Sequence, residues 1–406
     1  MAFLARPKNL VAIFLPILAV VYYCSWKNQV PDLGRRGAAG RPAPETGALA
    51  SQAKGQDGPR PGTWTQHQHC VGEICVSASQ TYGNGLSIAT NAKNAAIVAG
   101  FPTGAVRHQE ARVLTPPPFF ETQIEGKGIG LRANASIRKG DIVMVHTPTV
   151  LVHLKTHFHL APGPREGLYV AAVQHLPAPA RRRFMRLAGA TVYDKVDTNG
   201  FRLFVDGQNE DGAHLGCYPE SARLNHDCRP NLQYYMTNIT QTIVAVRDIA
   251  VGEELTVSYI DGVLSRAERQ ERLHDWGFTC SCAHCRLRGA DAAASDARIR
   301  AIEKITKDLE ERDNPAVTAA TGAQLAALYE AEKLDVYLGH VYTQAALNYA
   351  LFGVEDGALE FATKAAAALE REFGPDAPDI AAMRELAANP KAHWSWELKK
   401  KRQEKE

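Results

Sequence analysis

The chain has 406 residues, 45% hydrophobic and 22% charged, which excludes an intrinsically disordered protein and allows two domains or one with large additions. A formal net charge of +2 offers no electrostatic footprint for nucleic acid, and eight cysteines are too few for a disulfide scaffold. In chain order, Arg6 and Lys8 precede an apolar run from Leu10 to Cys24, with Tyr22, Tyr23 and Trp26 at its end. This is the pattern of a secretory signal or an uncleaved anchor, so residues 1–26 are expected to direct or attach the chain to a membrane, with residues 10–26 as the attachment. Residues 27–62 are rich in Gly, Pro and Arg with no hydrophobic period, and read as a flexible linker. A region from 63 to 118 follows, where order is expected from Trp64. Cys70 and Cys75 are close enough to pair. Ser87–Ala89 suggests a strand and Ala95–Ala99 a short helix.

From Phe119 short strands alternate with glycine turns: Phe120–Ile124, the run Glu125-Gly126-Lys127-Gly128-Ile129-Gly130-Leu131, then Ile142–Val145. The stretch from Gly128 formally matches a dinucleotide-binding turn, but that turn must open a helix, and here Gly140-Asp141 cuts the chain first. A tight hairpin, or a glycine loop whose bare backbone approaches a ligand, remains. Residues 155–190 turn helical, broken by prolines. Strands return at Phe201–Val205, Leu232–Tyr235, Thr242–Val246 and Leu255–Tyr259. Beyond Cys285 the pattern is helical over 288–398, with Ile299, Ile302, Ile305 and Leu309 on one face and one helix-turn-helix repeat near Tyr349–Ala365. A charged tail, 399–406, closes the chain.

Two segments concentrate chemistry. Asn225-His226-Asp227-Cys228-Arg229-Pro230-Asn231 holds more polar groups than an ordinary core segment can satisfy. Cys280-Ser281-Cys282-Ala283-His284-Cys285 supplies three thiols at a spacing suited to a zinc knuckle, with Cys228, Cys217 or His284 as the fourth ligand. Disulfides or free thiols are the alternative. Taken alone, Tyr259 is an ordinary strand-end core tyrosine.

The ordered set Gly126–Gly130, Asn199-Gly200-Phe201, Asn225–Asn231, Gly252–Tyr259 and Trp276–Cys285 resembles the SET-domain family of S-adenosylmethionine-dependent lysine methyltransferases, over roughly residues 119–287. The texture is similar to the SMYD branch, but the cysteine-rich MYND finger of that branch is absent. The N-terminal apolar segment is similar to that of a group of fungal SET proteins. The resemblance implies an α+β chain: a β-rich SET fold with a pseudoknot over 119–262, a helical insert, a post-SET zinc segment over 263–287 and a TPR-like helical C-terminal region. It implies that Lys127, Gly128, Gly130, Asn199, Asn225, His226, Tyr259 and Phe278 hold S-adenosylmethionine. Tyr259 would stand at the methyl-transfer position and Trp276 would wall the lysine channel. Cys228 would join Cys280, Cys282 and Cys285 on a structural zinc. Ile129 departs from the pattern, standing where several relatives have arginine. The expected activity is methylation of a lysine in a protein substrate by a monomer; the alternative is a catalytically weak SET-fold binding module.

Sequons at Asn134-Ala135-Ser136 and Asn238-Ile239-Thr240 can be glycosylated only in the secretory pathway. A membrane-anchored or secretory location is expected, with a cytoplasmic or nuclear one as the alternative, since zinc thiolates and the methyl donor suit a reducing, cofactor-supplied side.

Overall fold

The structure, a computed structural model, describes residues 64–403 except 66–68, 103–106, 108, 111, 208 and 312. The expected anchor at 1–26 and linker at 27–62 lie outside the described residues. Among the described residues no helix is long and apolar enough to cross a membrane.

Three sheets carry the β-rich part. The largest contains β1 (Cys70–Val71), β2 (Ile74–Ser79), β3 (Leu86–Thr90), β7 (Val150–His153), β9 (Ala213–Cys217) and β8 (Gly200–Phe204), in that spatial order. Its β3 and β7 are parallel, with Ile88 opposite Leu151, so residues N-terminal to Phe119 are woven into the sheet by long-range pairing. Alternation sorts its side chains onto two faces. Val76, Ala89, Val150, Val152 and Leu215 pack against α2 (Leu154–His159), α3 (Pro162–Gln174), α4 (Ala178–Met185) and α5 (Val192–Asn199) through Leu168, Tyr169, Phe184 and Val196. Leu86, Ile88, Leu151 and Leu203 face the other way and cover Val98 of α1 (Ala92–Ala99). The helical insert is thus one cover of a two-faced sheet. α5 starts at a capping box in which Thr191 and Asp194 each satisfy the other's backbone N–H.

The second sheet runs β10 (Asn225–His226), β13 (Glu254–Val257), β5 (Gly128–Ala133) and β4 (Phe119–Ile124). β4 and β5 form an antiparallel hairpin closing at Ile124 opposite Gly128, with no helix after it, so the dinucleotide reading falls. β6 (Ile142–His146), β12 (Thr240–Ala245) and β11 (Leu232–Thr237) make the third sheet. Leu131, Ile137, Met144, Leu232, Ile243 and Leu255 join the second and third sheets in one core.

α6 (Arg266–His274) leads into the cysteine segment, and the rest is helical: α7 (Gly289–Glu310), α8 (Thr321–Ala331), α9 (Leu338–Leu351), α10 (Glu355–Phe373), α11 (Pro378–Ala388) and α12 (Leu398–Gln403). From α7 to α11 each helix packs on the next. Buried alanines at 346, 350, 358, 362 and 365 permit close approach of α9 and α10. This α+β arrangement matches the fold class expected from the sequence.

Candidate active site and zinc centre

The site begins with a pairing that only folding can make. β10, two residues long, lies parallel to β13, with Asn225 opposite Thr256 and His226 opposite Val257. So short a strand needs help, and Asn231 supplies it. Its Oδ1 accepts from Thr256 N–H at 2.9 Å, and its Nδ2 donates to the Glu254 carbonyl at 2.8 Å. The polar run from Asn225 to Asn231 thereby ties itself to β13 instead of leaving buried groups unpaired.

Pairing brings Asn225, Lys127 and Glu254 together. Glu254 accepts from Asn225 Nδ2 at 3.0 Å through one oxygen and binds Lys127 Nζ at 2.7 Å through the other. Lys127 Nζ also reaches the His226 carbonyl at 3.4 Å. Gly130 lies beneath: a Cβ there would meet Asn225 Nδ2 at 2.5 Å and Ile124 Cγ1 at 2.7 Å. Glycine at this position therefore leaves room for the asparagine amide. Gly128 is exposed with φ +79°, conformationally suited to glycine, and Ile129 beside it is 44% exposed.

His226 links this group to the cysteines. Its Nδ1 accepts from Tyr259 N–H at 3.0 Å, which assigns the proton to Nε2, 3.3 Å from Cys228 Sγ. Burial pushes its pKa down to about 3, so the ring is neutral. Tyr259 Oη donates to the Leu224 carbonyl at 2.7 Å. Its ring lies 4.8 Å from Trp276 and 6.4 Å from Phe278, centroid to centroid. Burial, and secondarily the Glu254 carboxylate, push the phenol up to about 12, so Tyr259 keeps its proton at neutral pH. The turn at Gly277, with φ +81°, is the left-handed step that sets Trp276 and Phe278 on the same tyrosine.

Asn199 is placed differently. It ends α5, and its Nδ2 donates at 2.8 Å to the carbonyls of Ala188 in the insert and of Lys195 one turn back in its own helix. The amide is engaged there rather than with the Asn225 group.

The sulfurs of Cys228, Cys280, Cys282 and Cys285 all lie within 4.8 Å of one another. Cys228 is 3.9 Å from Cys280 and 3.5 Å from Cys285. A tetrahedral zinc with Zn–S near 2.3 Å requires sulfurs about 3.8 Å apart, so the set fits that ion. Backbone N–H groups of Cys282 and Cys285 point at the sulfurs of Cys280 and Cys282, at 3.5 and 3.3 Å, as in a knuckle wrapped around thiolates. Of the other candidates, Cys217 is buried in the large sheet, where burial pushes its thiol up to about 12 and leaves it inert. His284 turns instead to Glu332, 2.9 Å away.

Sequence reasoning missed two residues. Glu254, within the motif that ends at Tyr259, holds both Lys127 and Asn225. Fully buried Arg269 on α6 lies beside the cysteines, where its positive charge offsets their negative charge. The helix pattern alone gave no sign that Arg269 points inward.

The sheet topology, the β10–β13 pairing and the four-cysteine clasp are joined by a match in sequence: residues 128–260 of this chain match the SET domain. Its relatives are of SMYD type. The zebrafish (Danio rerio) N-lysine methyltransferase SMYD2-B is 31% identical over 157 residues, 38% of this chain and 33% of the relative. Human histone-lysine N-methyltransferase SMYD3 is 34% identical over 123 residues, 29% of this chain and 28% of the relative. Human N-lysine methyltransferase SMYD2 is 34% identical over 110 residues, 26% and 24% respectively. The matched stretch thus covers a third or less of the length of these relatives.

Proposed function

We propose that this chain transfers a methyl group from S-adenosylmethionine to a lysine side chain of a protein substrate. The observation that carries the reading is Tyr259. Its hydroxyl is pinned to Leu224, its backbone to His226, and its ring is walled by Trp276 and Phe278. Lys127, Asn225 and the bare backbone at Gly128 and Gly130 would hold the cofactor beside it, with Phe278 covering one side. When bound, S-adenosylmethionine supplies an electrophilic methyl on a positively charged sulfur.

The residues of the chain then position and desolvate. A lysine amine must be neutral to attack, and its pKa near 10.4 falls in an apolar channel beside a positive charge. Trp276 and Phe278 exclude water. Tyr259, neutral at working pH, can accept from the amine through its hydroxyl oxygen and orient it, without acting as a base. The four cysteines would hold zinc as a clasp that keeps the Trp276–Phe278 turn on Tyr259. A monomer suffices for this arrangement. A binding-only role is the weaker reading; it rests on Ile129, which offers an apolar side chain where a polar cofactor contact would otherwise be expected. Labelled methyl transfer decides between them: wild type should label protein lysines, and Tyr259→Phe should lose about 100-fold in rate while keeping its fold.

A further inference from the structure

We infer that the folded part of this chain resides in an oxidising secretory compartment and carries N-linked oligosaccharides on Asn134 and Asn238. This rests on none of the residues proposed for methyl transfer, so either can fail alone.

The first observation is the state of the cysteines. Cys70 is exposed and bonded to Cys75 across the β1–β2 hairpin. Among the described residues, every free cysteine is buried: Cys217 in the large sheet and the four of the clasp. The accessible thiols are thus closed, and the open ones are hidden or suited to a metal. Closing Cys70 and Cys75 removes two electrons and two protons, which a protein thiol–disulfide oxidant of the secretory pathway takes up; the cytosol opposes the same step.

The second observation is the placement of the sequons. Asn134, Ala135 and Ser136 are all exposed, in the turn that follows β5. Asn238 is exposed at the tip of the β11–β12 hairpin, between the paired Thr237 and Thr240. Its φ of +53° suits asparagine in the turn, and Thr240, two residues on, is buried as the first residue of β12. Both asparagines are exposed, so a glycan on either would project into solvent. The transfer joins the asparagine amide nitrogen to the anomeric carbon of a lipid-pyrophosphate-linked oligosaccharide. The bond from that carbon to the pyrophosphate oxygen breaks, the amide gives up one proton, and the lipid pyrophosphate leaves. The apolar run after Arg6 and Lys8 is the third, independent pointer to the same route.

The test is expression of all 406 residues in a eukaryotic cell, followed by digestion with peptide N-glycosidase F and by alkylation without reduction. Two mobility steps should be removed by the glycosidase. Asn134→Gln and Asn238→Gly should each abolish one, glycine being chosen because it keeps the left-handed turn. Cys70 and Cys75 should resist alkylation. A chain whose mobility the glycosidase leaves unchanged, or whose Cys70 and Cys75 alkylate without reductant, overturns the inference.

Discussion

Glu254 connects one carboxylate to two side chains that the proposed cofactor site depends on. Its side chain is 16% exposed and that of Lys127 is 24% exposed, so the pair is partly shielded from solvent screening. Removing the carboxylate frees Lys127 and leaves the Asn225 amide without its acceptor. A charge-assisted hydrogen bond contributes roughly 1.5 kcal/mol, about tenfold in a binding constant. Glu254→Ala should therefore weaken S-adenosylmethionine binding about tenfold by calorimetric titration, with the melting temperature little changed; unchanged affinity would remove Glu254 from the site. At this scale much was legible in the sequence. The Asn225–Asn231 run, Tyr259 and the three-cysteine segment each carry a local signature. Glu254 was harder to recognise because one acid in a Gly-Glu-Glu turn looks like any solvated turn residue until folding sets its carboxylate 2.7 Å from Lys127 Nζ.

Between elements, the strongest polar link is Glu332, just past the end of α8 and fully buried. It accepts from Arg229 at 2.9 Å, Arg298 at 2.7 Å and Ser295 at 3.0 Å, with His284 at 2.9 Å. Burial alone would raise its carboxyl, but His284, Arg229 and Arg298 outweigh that and bring it down to about 2. Arg229 follows Cys228 and His284 precedes Cys285, so one carboxylate holds α8, α7 and both halves of the cysteine clasp together. Breaking a buried ion pair from one side costs about 3–5 kcal/mol. Glu332→Ala should lower stability by about that amount and hasten zinc release to a chelator; unchanged release would confine Glu332 to helix packing. Nothing in the sequence marked it. Ala-Glu-Lys reads as an exposed helix end, and its partners lie 34 to 103 residues away. The same limit hid β7 and β9, short apolar runs whose strand character comes from β3 and β8 beside them. Elements with their own punctuation, such as the β4–β5 hairpin and the long helix α7, were legible locally.

Over the whole molecule, the helical region docks on the β-rich part along β11 and the segment after β13. Gln233 Nε2 donates to the Glu372 carbonyl at 3.4 Å, and Tyr337 Oη accepts from Gly262 N–H at 2.8 Å and donates to Asp261 at 3.0 Å. Glu372 is buried at this seam, accepting from Gly339 N–H at the start of α9. Burial pushes its carboxyl up to about 8, against the opposing pull of the Gly339 and His340 N–H groups, Arg371 and Lys139. A raised pKa means that the folded state binds the proton more tightly than the unfolded chain, whose carboxyl titrates near 4.5. The resulting stability is complete below about 4.5 and lost as pH rises through about 8. The melting temperature should fall by a few degrees between pH 6 and 8, and Glu372→Gln should flatten that slope; an equal slope in the variant would show that another group titrates. The α+β layout was legible from the order of strand-like and helix-like segments. The weaving of residues 70–90 into the large sheet was not, because parallel pairing across some sixty residues leaves no local pattern.

The central claim, methyl transfer to lysine, is tested most directly by incubating the purified chain with methyl-labelled S-adenosylmethionine and a protein library, then locating the label by mass spectrometry. The account predicts label on lysine side chains with wild type and about 100-fold less with Tyr259→Phe. No lysine label from wild type with cofactor bound, or equal label from both proteins, would contradict it.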